Sequence, residues 1–437
     1  MDIKYNYEVM KNFVFISPNF PETYWHFCDS LKRAGFRVLG IGDQPYEQLL
    51  PELRNSMDEY YKVNNLDNFD EEKEAVGYFE RKYGHIDWLE SNNEYWLRKD
   101  SILRDLFSVD TGLKSAELDD YQRKSLMKKH FEDAGVKVAP YLLVKDKESL
   151  VEFAKKYGFP LFVKPDIGVG AEESFKLKNF DELEHFYNEK SQNCQFICET
   201  FVTGDIVTFD GIANENSEPV FVASLECPPS ISDILQQGKD FVYTSNPYLD
   251  PEFEKLGRAT VKAFGIKNRF YHIEFFRVTK PREGLFKVGD IVGLEVNIRC
   301  PGGYTPDMHN FAHSLDCYDL YAQTVAGNNP VAPNNKKFYC PCVGRRDNVE
   351  YFYSDEDVLR AFKGHICGYG RYPGVLSGVM GNRFFMARFD TNDEVKLFAD
   401  YVTRKPGQIR GSSSTKGSMF NKTDSGEAIC DTHIDGA

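Results

Sequence analysis

Glu295, Asn297 and Arg299 stand at alternate positions in and just after the strand-like stretch Gly293 to Ile298. Alternate residues of a strand point to one face, so the three share a side. A second acid, Glu274, lies about twenty residues earlier on another strand-like run, Phe270 to Val278. Carboxylate and amide oxygens of this kind suit Mg2+, which takes a few protein oxygens and fills its shell with substrate phosphates and water. Alone, the pattern equally fits polar residues on a solvated strand face.

Lys164 ends the apolar run Leu161-Phe-Val and opens Pro165-Asp-Ile-Gly168-Val-Gly170-Ala. A lysine beside a small, flexible loop offers phosphate oxygens a point charge and close backbone N–H groups. No Gly-Lys-Ser/Thr follows, so this is not a Walker A loop, and the third glycine of a dinucleotide fingerprint is missing. Further on, Glu199-Thr-Phe-Val202 and Gly204-Asp205 form a candidate hinge. There Glu199 and the backbone of Phe201 and Val202 suit the edge of an adenine, and Asp205 suits ribose hydroxyls. A strand ending in a turn explains the same residues.

These residues need a scaffold that alternates strand and helix. Phe13-Val-Phe-Ile16 reads as a buried strand, ended by Ser17-Pro-Asn-Phe-Pro21. Tyr24, Phe27, Leu31 and Ala34 follow at helical spacing, Gly35 caps, and Arg37 to Ile41 is a second strand. Such an opening predicts a parallel sheet. The pattern further predicts helices over Asp70–Tyr83, Asp119–Asp133, Lys147–Tyr157 and Pro251–Phe264, and a strand over Val138–Val144. From Pro406 the chain is rich in Gly, Ser, Thr, Lys and Asp, a composition expected of a flexible tail over 406–437.

The bulk composition narrows the function. A net charge of −14 over 437 residues argues against a surface built to neutralise nucleic-acid phosphates. Ten cysteines are scattered, with Cys340-x-Cys342 the tightest spacing, so neither a zinc site nor a disulfide framework is expected. No apolar run approaches membrane-spanning length and the first eleven residues lack a signal-peptide core, so a cytoplasmic enzyme is the expectation.

Taken in order, Lys124, Lys164 with its glycine loop, Glu199 to Asp205, Glu274 and Glu295-x-Asn297-x-Arg299 resemble the ATP-grasp superfamily. Biotin carboxylase, D-alanine–D-alanine ligase and the L-amino-acid ligases belong to it. Arg123-Lys124-Ser-Leu-Met ahead of Ala134-Gly-Val136 matches the helix of the first ATP lysine, and Phe162-Val-Lys164-Pro the second. The resemblance covers roughly residues 115–330.

It implies an α/β fold: a parallel-sheet domain over 12–115 ahead of a two-lobed grasp over 116–330, with 140–205 as lid. A C-terminal lobe would occupy 331–405. It also implies ATP held by Lys124, Lys164, Gly168 and Gly170, and two Mg2+ ions, replaceable by Mn2+, on Glu274, Glu295 and Asn297. Small-molecule carboxylate and amine substrates follow, joined through an acyl phosphate, with a homodimer as the common assembly. Arg299 and the backbone of Gly302 and Gly303 would face the acyl group. His309 fits either a base for the amine or a hydrogen-bonded loop residue, and His272 either a phosphate contact or a core histidine. Cys300 reads as a packed thiol. Asp205 departs from the family pattern, one methylene short and about one residue early, and the loop between Pro228 and Pro247, with Lys239, aligns with nothing. Arginines at Gly344-Arg-Arg346, Arg371 and Arg383 are candidates for a substrate carboxylate. A phosphotransferase on the same scaffold is the alternative, and a nucleotide-binding regulator a third reading.

Overall fold

The computed structural model describes residues 10–168, 174–191, 193–227 and 240–407. Gly170, Lys239 and residues 408–437 lie outside them.

Four strands form the first sheet: β1 (Asn12–Ile16), β2 (Arg37–Gly42), β3 (Glu59–Lys62) and β4 (Trp88–Glu90). They pair in parallel in the order β3-β2-β1-β4. Strand β1 is wholly buried because both faces are covered, as parallel sheets require. Phe13 and Phe15 join the cluster of the Trp25–Arg33 helix, and Val14 and Ile16 that of the Phe69–Tyr83 helix.

The stretch expected to be one strand over Val138–Val144 is two: β5 (Lys137–Val138) and β6 (Tyr141–Leu143). Pro140, which has no N–H to donate, interrupts it, and its carbonyl accepts from Thr200 N at 2.9 Å. The two halves enter different sheets. β6 joins β7 (Leu161–Pro165), β8 (Phe175–Leu177) and β9 (Phe196–Thr200) in an antiparallel sheet of order β6-β9-β7-β8. β5 edges a nine-stranded sheet with β10 (Gly204–Ala213), β11 (Pro219–Cys227), β12 (Val242–Asn246), β13 (Arg269–Val278), β14 (Ile291–Asn297), β15 (Cys340–Arg345), β16 (Ile366–Arg371) and β17 (Arg383–Ala387). Its order is β16-β17-β15-β12-β11-β10-β13-β14-β5. Because β12 pairs with β15, the sheet runs unbroken past residue 330.

The helix expected over Asp119–Asp133 also divides, at Arg123, whose backbone is extended. Asp166, just after β7, is the cause. Its carboxylate accepts from Ser125 N at 2.8 Å and Ser125 Oγ at 3.0 Å, and its carbonyl from Lys124 N at 2.9 Å. An acid at this position satisfies the free N–H groups of a helix start. Lys124 thereby becomes the first residue of the Lys124–Asp133 helix. That helix lies on β14 at Gly293, where a Cβ would stand 2.5 Å from the Phe131 ring. The absent side chain lets a helix bearing lysines pack against a strand bearing Glu295.

A buried ion cluster joins the first sheet to the large one. Glu90 Oε2 accepts from Arg104 Nη2 at 3.0 Å and from Arg269 Nη2 at 2.6 Å. Among the described residues no helix is long and apolar enough to cross a membrane.

Candidate active site

The strand register arranges the polar residues in two rows across β10, β13 and β14. Thr208, Glu274 and Glu295 are directly opposite one another in one row, and Asp210, His272 and Asn297 in the next. Glu274 and Glu295 are therefore like charges face to face, an arrangement that destabilises a sheet unless a cation intervenes. Both remain partly exposed, at 26% and 21% of their side-chain area. Lys124 Nζ lies 3.4 Å from Glu295 Oε1 and donates to the carbonyl of Gly168 at 2.8 Å.

A second cluster forms where the Lys124–Asp133 helix meets β7 and β9. The Glu199 carboxylate is clamped between Lys128 Nζ at 2.5 Å and Lys164 Nζ at 3.0 Å, all three buried. Burial alone would raise the Glu199 pKa, but the two ammonium groups hold it down at about 2. For Lys128 burial wins, and its pKa is lowered despite Glu199.

Arg299 continues the side of Glu295 and Asn297. Its Nη1 donates to the carbonyl of Cys300 at 2.9 Å, and its Nε lies 3.7 Å from Glu94 Oε2. Gly302 and Gly303 follow, Gly303 with φ of 63° in the left-handed region that favours glycine, and the chain then enters the Thr305–His313 helix.

No family model matches the chain. Over 291 residues it is 23% identical to the L-arginine-specific L-amino acid ligase of Bacillus subtilis, covering 63% of this chain and 67% of that protein. The fold matches the crystal structure of an L-amino acid ligase from Bacillus licheniformis with a TM-score of 0.66, 15% identity, and coverage of 89% and 96%. It matches the biotin carboxylase domain of the Hydrogenobacter thermophilus 2-oxoglutarate carboxylase, solved as a dimer with MgADP, ADP and bicarbonate, with a TM-score of 0.63, 16% identity, and coverage of 88% and 87%. These relatives and structural neighbours are ATP-grasp carboxylate–amine ligases, and this chain shares their fold.

The Hydrogenobacter thermophilus domain was solved with MgADP. The residues of this chain fit that ion. Among the described residues no three or more His, Cys, Asp or Glu side chains form a metal cage. Two opposed carboxylates and one amide are instead the sparse oxygen set that Mg2+ takes when nucleotide phosphates and water complete its shell.

Several expected site residues stand elsewhere than anticipated. Glu199 was expected at an adenine amine, yet its carboxylate is occupied by the two lysines. The Phe201 backbone is engaged on both sides, its N–H donating to Pro160 O at 3.2 Å and its carbonyl accepting from Arg282 Nη1, also at 3.2 Å. The same guanidinium reaches Pro160 O at 2.9 Å and, through Nη2, the carbonyls of Tyr157 and Gly158 at 2.8 Å each. Val202 is buried in an apolar cluster with Ala139, Val278, Phe286 and Val292. Asp205 pairs in register with Arg277, three positions from Thr208. Strand alternation thus puts it on the face of the sheet away from Glu274. The one-residue offset from the family pattern has this physical consequence.

His309 is not an exposed base. It is 1% exposed, with Nδ1 2.8 Å from Ser245 Oγ and Nε2 3.1 Å from Asp210 Oδ2. The C-terminal arginines are spent within their own segment. Arg345 and Arg383 pair with Asp355, Arg371 with Asp347, and Arg346 donates to carbonyls at Ser377, Gly378 and Val379. Cys300 is a buried thiol whose pKa is pushed up by burial.

Sequence reasoning missed Lys128, Asp166, Asp210 and Glu94. Lys128 had a legible signal, since four residues from Lys124 it shares that helix face. Asp210 had none, because only the register of β10 with β13 brings it to His272.

Proposed function

We propose that the protein activates the carboxylate of one amino acid and joins it to the amine of a second, in a cleft where Lys124 and Lys164 face the ATP phosphates. Glu274, Glu295 and Asn297 hold the magnesium, which screens phosphate charge when bound. A carboxylate oxygen attacks the γ-phosphorus and ADP leaves. The amine nitrogen then attacks the acyl carbon, the C–O bond to phosphate breaks, and amide, phosphate and a proton are released. Arg299 and the N–H groups of the Gly302–Gly303 loop stabilise the tetrahedral oxyanion.

The observation that carries this reading is Arg299, on the side of Glu295 and Asn297, with Nη1 on its neighbouring carbonyl and Nε toward Glu94, which together hold the planar fork in place. A phosphotransferase acting on a hydroxyl has less use for such a donor at that place. With His309 buried, Glu94 beside Arg299 and Asp307 just after the loop are carboxylates suited to hold an ammonium group. One Asp307 oxygen is buried without a hydrogen-bond partner, and burial pushes that acid up to about 7. A homodimer belongs to the same proposal, and light scattering of the purified chain tests it.

The test is ADP and phosphate release from Mg-ATP over a panel of amino-acid pairs, with mass spectrometry of the product and Glu295→Ala as control. A stimulating pair with an amide product supports the reading. A stable phosphorylated acceptor in place of free phosphate overturns it.

A further inference from the structure

Glu274 is one end of a chain of buried contacts that crosses four strands. His272 Nε2 lies 3.2 Å from Glu274 Oε1, and the other ring nitrogen, Nδ1, lies 2.7 Å from Asp210 Oδ1. Asp210 is fully buried and fixed in its turn. Its Oδ2 accepts from Thr208 Oγ1 at 2.7 Å and lies 3.1 Å from His309 Nε2, and Thr208 Oγ1 accepts from the backbone N–H of Leu225 at 2.8 Å. Beyond His309 stands Ser245 on β12.

With a carboxylate oxygen at each nitrogen, the His272 ring donates at both. Neither nitrogen has a lone pair free for a phosphate or a substrate proton. The ring's freedom is also small, since Asp210 is locked by two further side chains on its far oxygen. A side chain so fixed can determine where a flexible glutamate points, as the partners behind metal ligands commonly do.

We propose that His272 is a positioning residue for the metal–nucleotide complex: seated on Asp210, it pins one oxygen of Glu274 and leaves the other for the ion. This rests on the reading of Glu274 as a metal ligand. The role lies in Nε2 rather than in the bulk of the ring, and that separates it from core packing.

Two substitutions divide the ring's functions. His272→Asn keeps a nitrogen near the position of Nδ1, facing Asp210, and cannot reach Glu274. His272→Gln places an amide near Nε2, facing Glu274, and gives up the contact to Asp210. The measurement is Mn2+ binding to the full-length protein with ADP, followed by electron paramagnetic resonance, beside ADP binding in EDTA and thermal unfolding. The Asn variant is expected to bind Mn2+ about tenfold more weakly and the Gln variant within about threefold of wild type, both with unchanged metal-free ADP affinity. Equal Mn2+ affinity in the Asn variant and wild type overturns the proposal, as does an equal loss in both variants. If the Asn variant does not fold, His272→Ser removes the same Glu274 contact and is read by the same criteria. Glu274→Gln separates the two layers of the argument. If that variant also binds Mn2+ normally, the metal reading of Glu274 fails and this proposal is overturned with it; if it binds weakly while the Asn variant binds normally, this proposal alone is overturned.

Discussion

Two clusters of charge face the cleft, and they are built on opposite principles. Around Glu199 the protein supplies both signs, with two ammonium groups closing on one carboxylate in a buried space. Around Glu274 and Glu295 it sets two acids face to face on adjacent strands, each partly exposed, with His272 beside one and Lys124 beside the other. The first cluster holds a helix to two strands, and a phosphate at Lys164 would share that lysine with Glu199. The second keeps two like charges opposed, a conflict that a further cation relieves. A polar group that explains itself within the fold is scaffold, and one that the fold leaves in conflict points to a ligand.

The largest effect that sharpens this contrast is on turnover. Glu274→Gln is expected to lower kcat/KM by about a thousandfold, roughly 4 kcal/mol of transition-state stabilisation, while metal-free thermal unfolding changes little, because relief of the opposed charge offsets the weakened contact to His272. A drop in metal-free stability would break the comparison.

Glu199→Gln should do the reverse in kind. Leaving Lys128 and Lys164 buried without their counter-ion is expected to destabilise the fold by roughly 3–5 kcal/mol in denaturant unfolding. The pH dependence has a definite sign. The Glu199 pKa is depressed from 4.5 to about 2, so its contribution is full above about 4.5 and disappears as pH falls toward 2. That contribution is about 3 kcal/mol, and the Gln variant should lack that part of the acid transition.

Arg299→Lys, which keeps the charge and loses the planar fork, is expected to cut kcat about a hundredfold with little change in ADP affinity, read by steady-state kinetics and calorimetry. Equal loss in ADP affinity would move Arg299 to the phosphates. The smallest effect belongs to Asp205→Ala, for which the KM for ATP should stay within about twofold, since alternation places that acid on the far face. A large rise would mean that the ribose is reached around the strand end.

What the sequence disclosed follows the range of the interactions involved. The shared side of Glu295, Asn297 and Arg299 was legible because strand alternation is local, and Phe13–Ile16 because a strand covered on both faces reads as an unbroken apolar run. The start of the lysine helix at Lys124 was not, because it is set by Asp166, which is more than forty residues away and acts as a helix cap. The break at Pro140 had its cause in plain view, but not the consequence that its halves would join separate sheets. His309 was read as a choice between base and buried partner, and only the placement of Asp210 and Ser245 beside it decides. The C-terminal arginines looked available because their partners, Asp347 and Asp355, are matched to them by folding rather than by spacing.

Arg282 gives the small antiparallel sheet a mechanical property. One planar group gathers four carbonyl oxygens, from Tyr157, Gly158, Pro160 and Phe201, at the foot of that sheet. That one side chain fastens the turn before β7 to the end of β9, while Lys124 and Ser125 tie the other end of the sheet to a helix. A single guanidinium thus does for the turn what the start of a helix does for the far end.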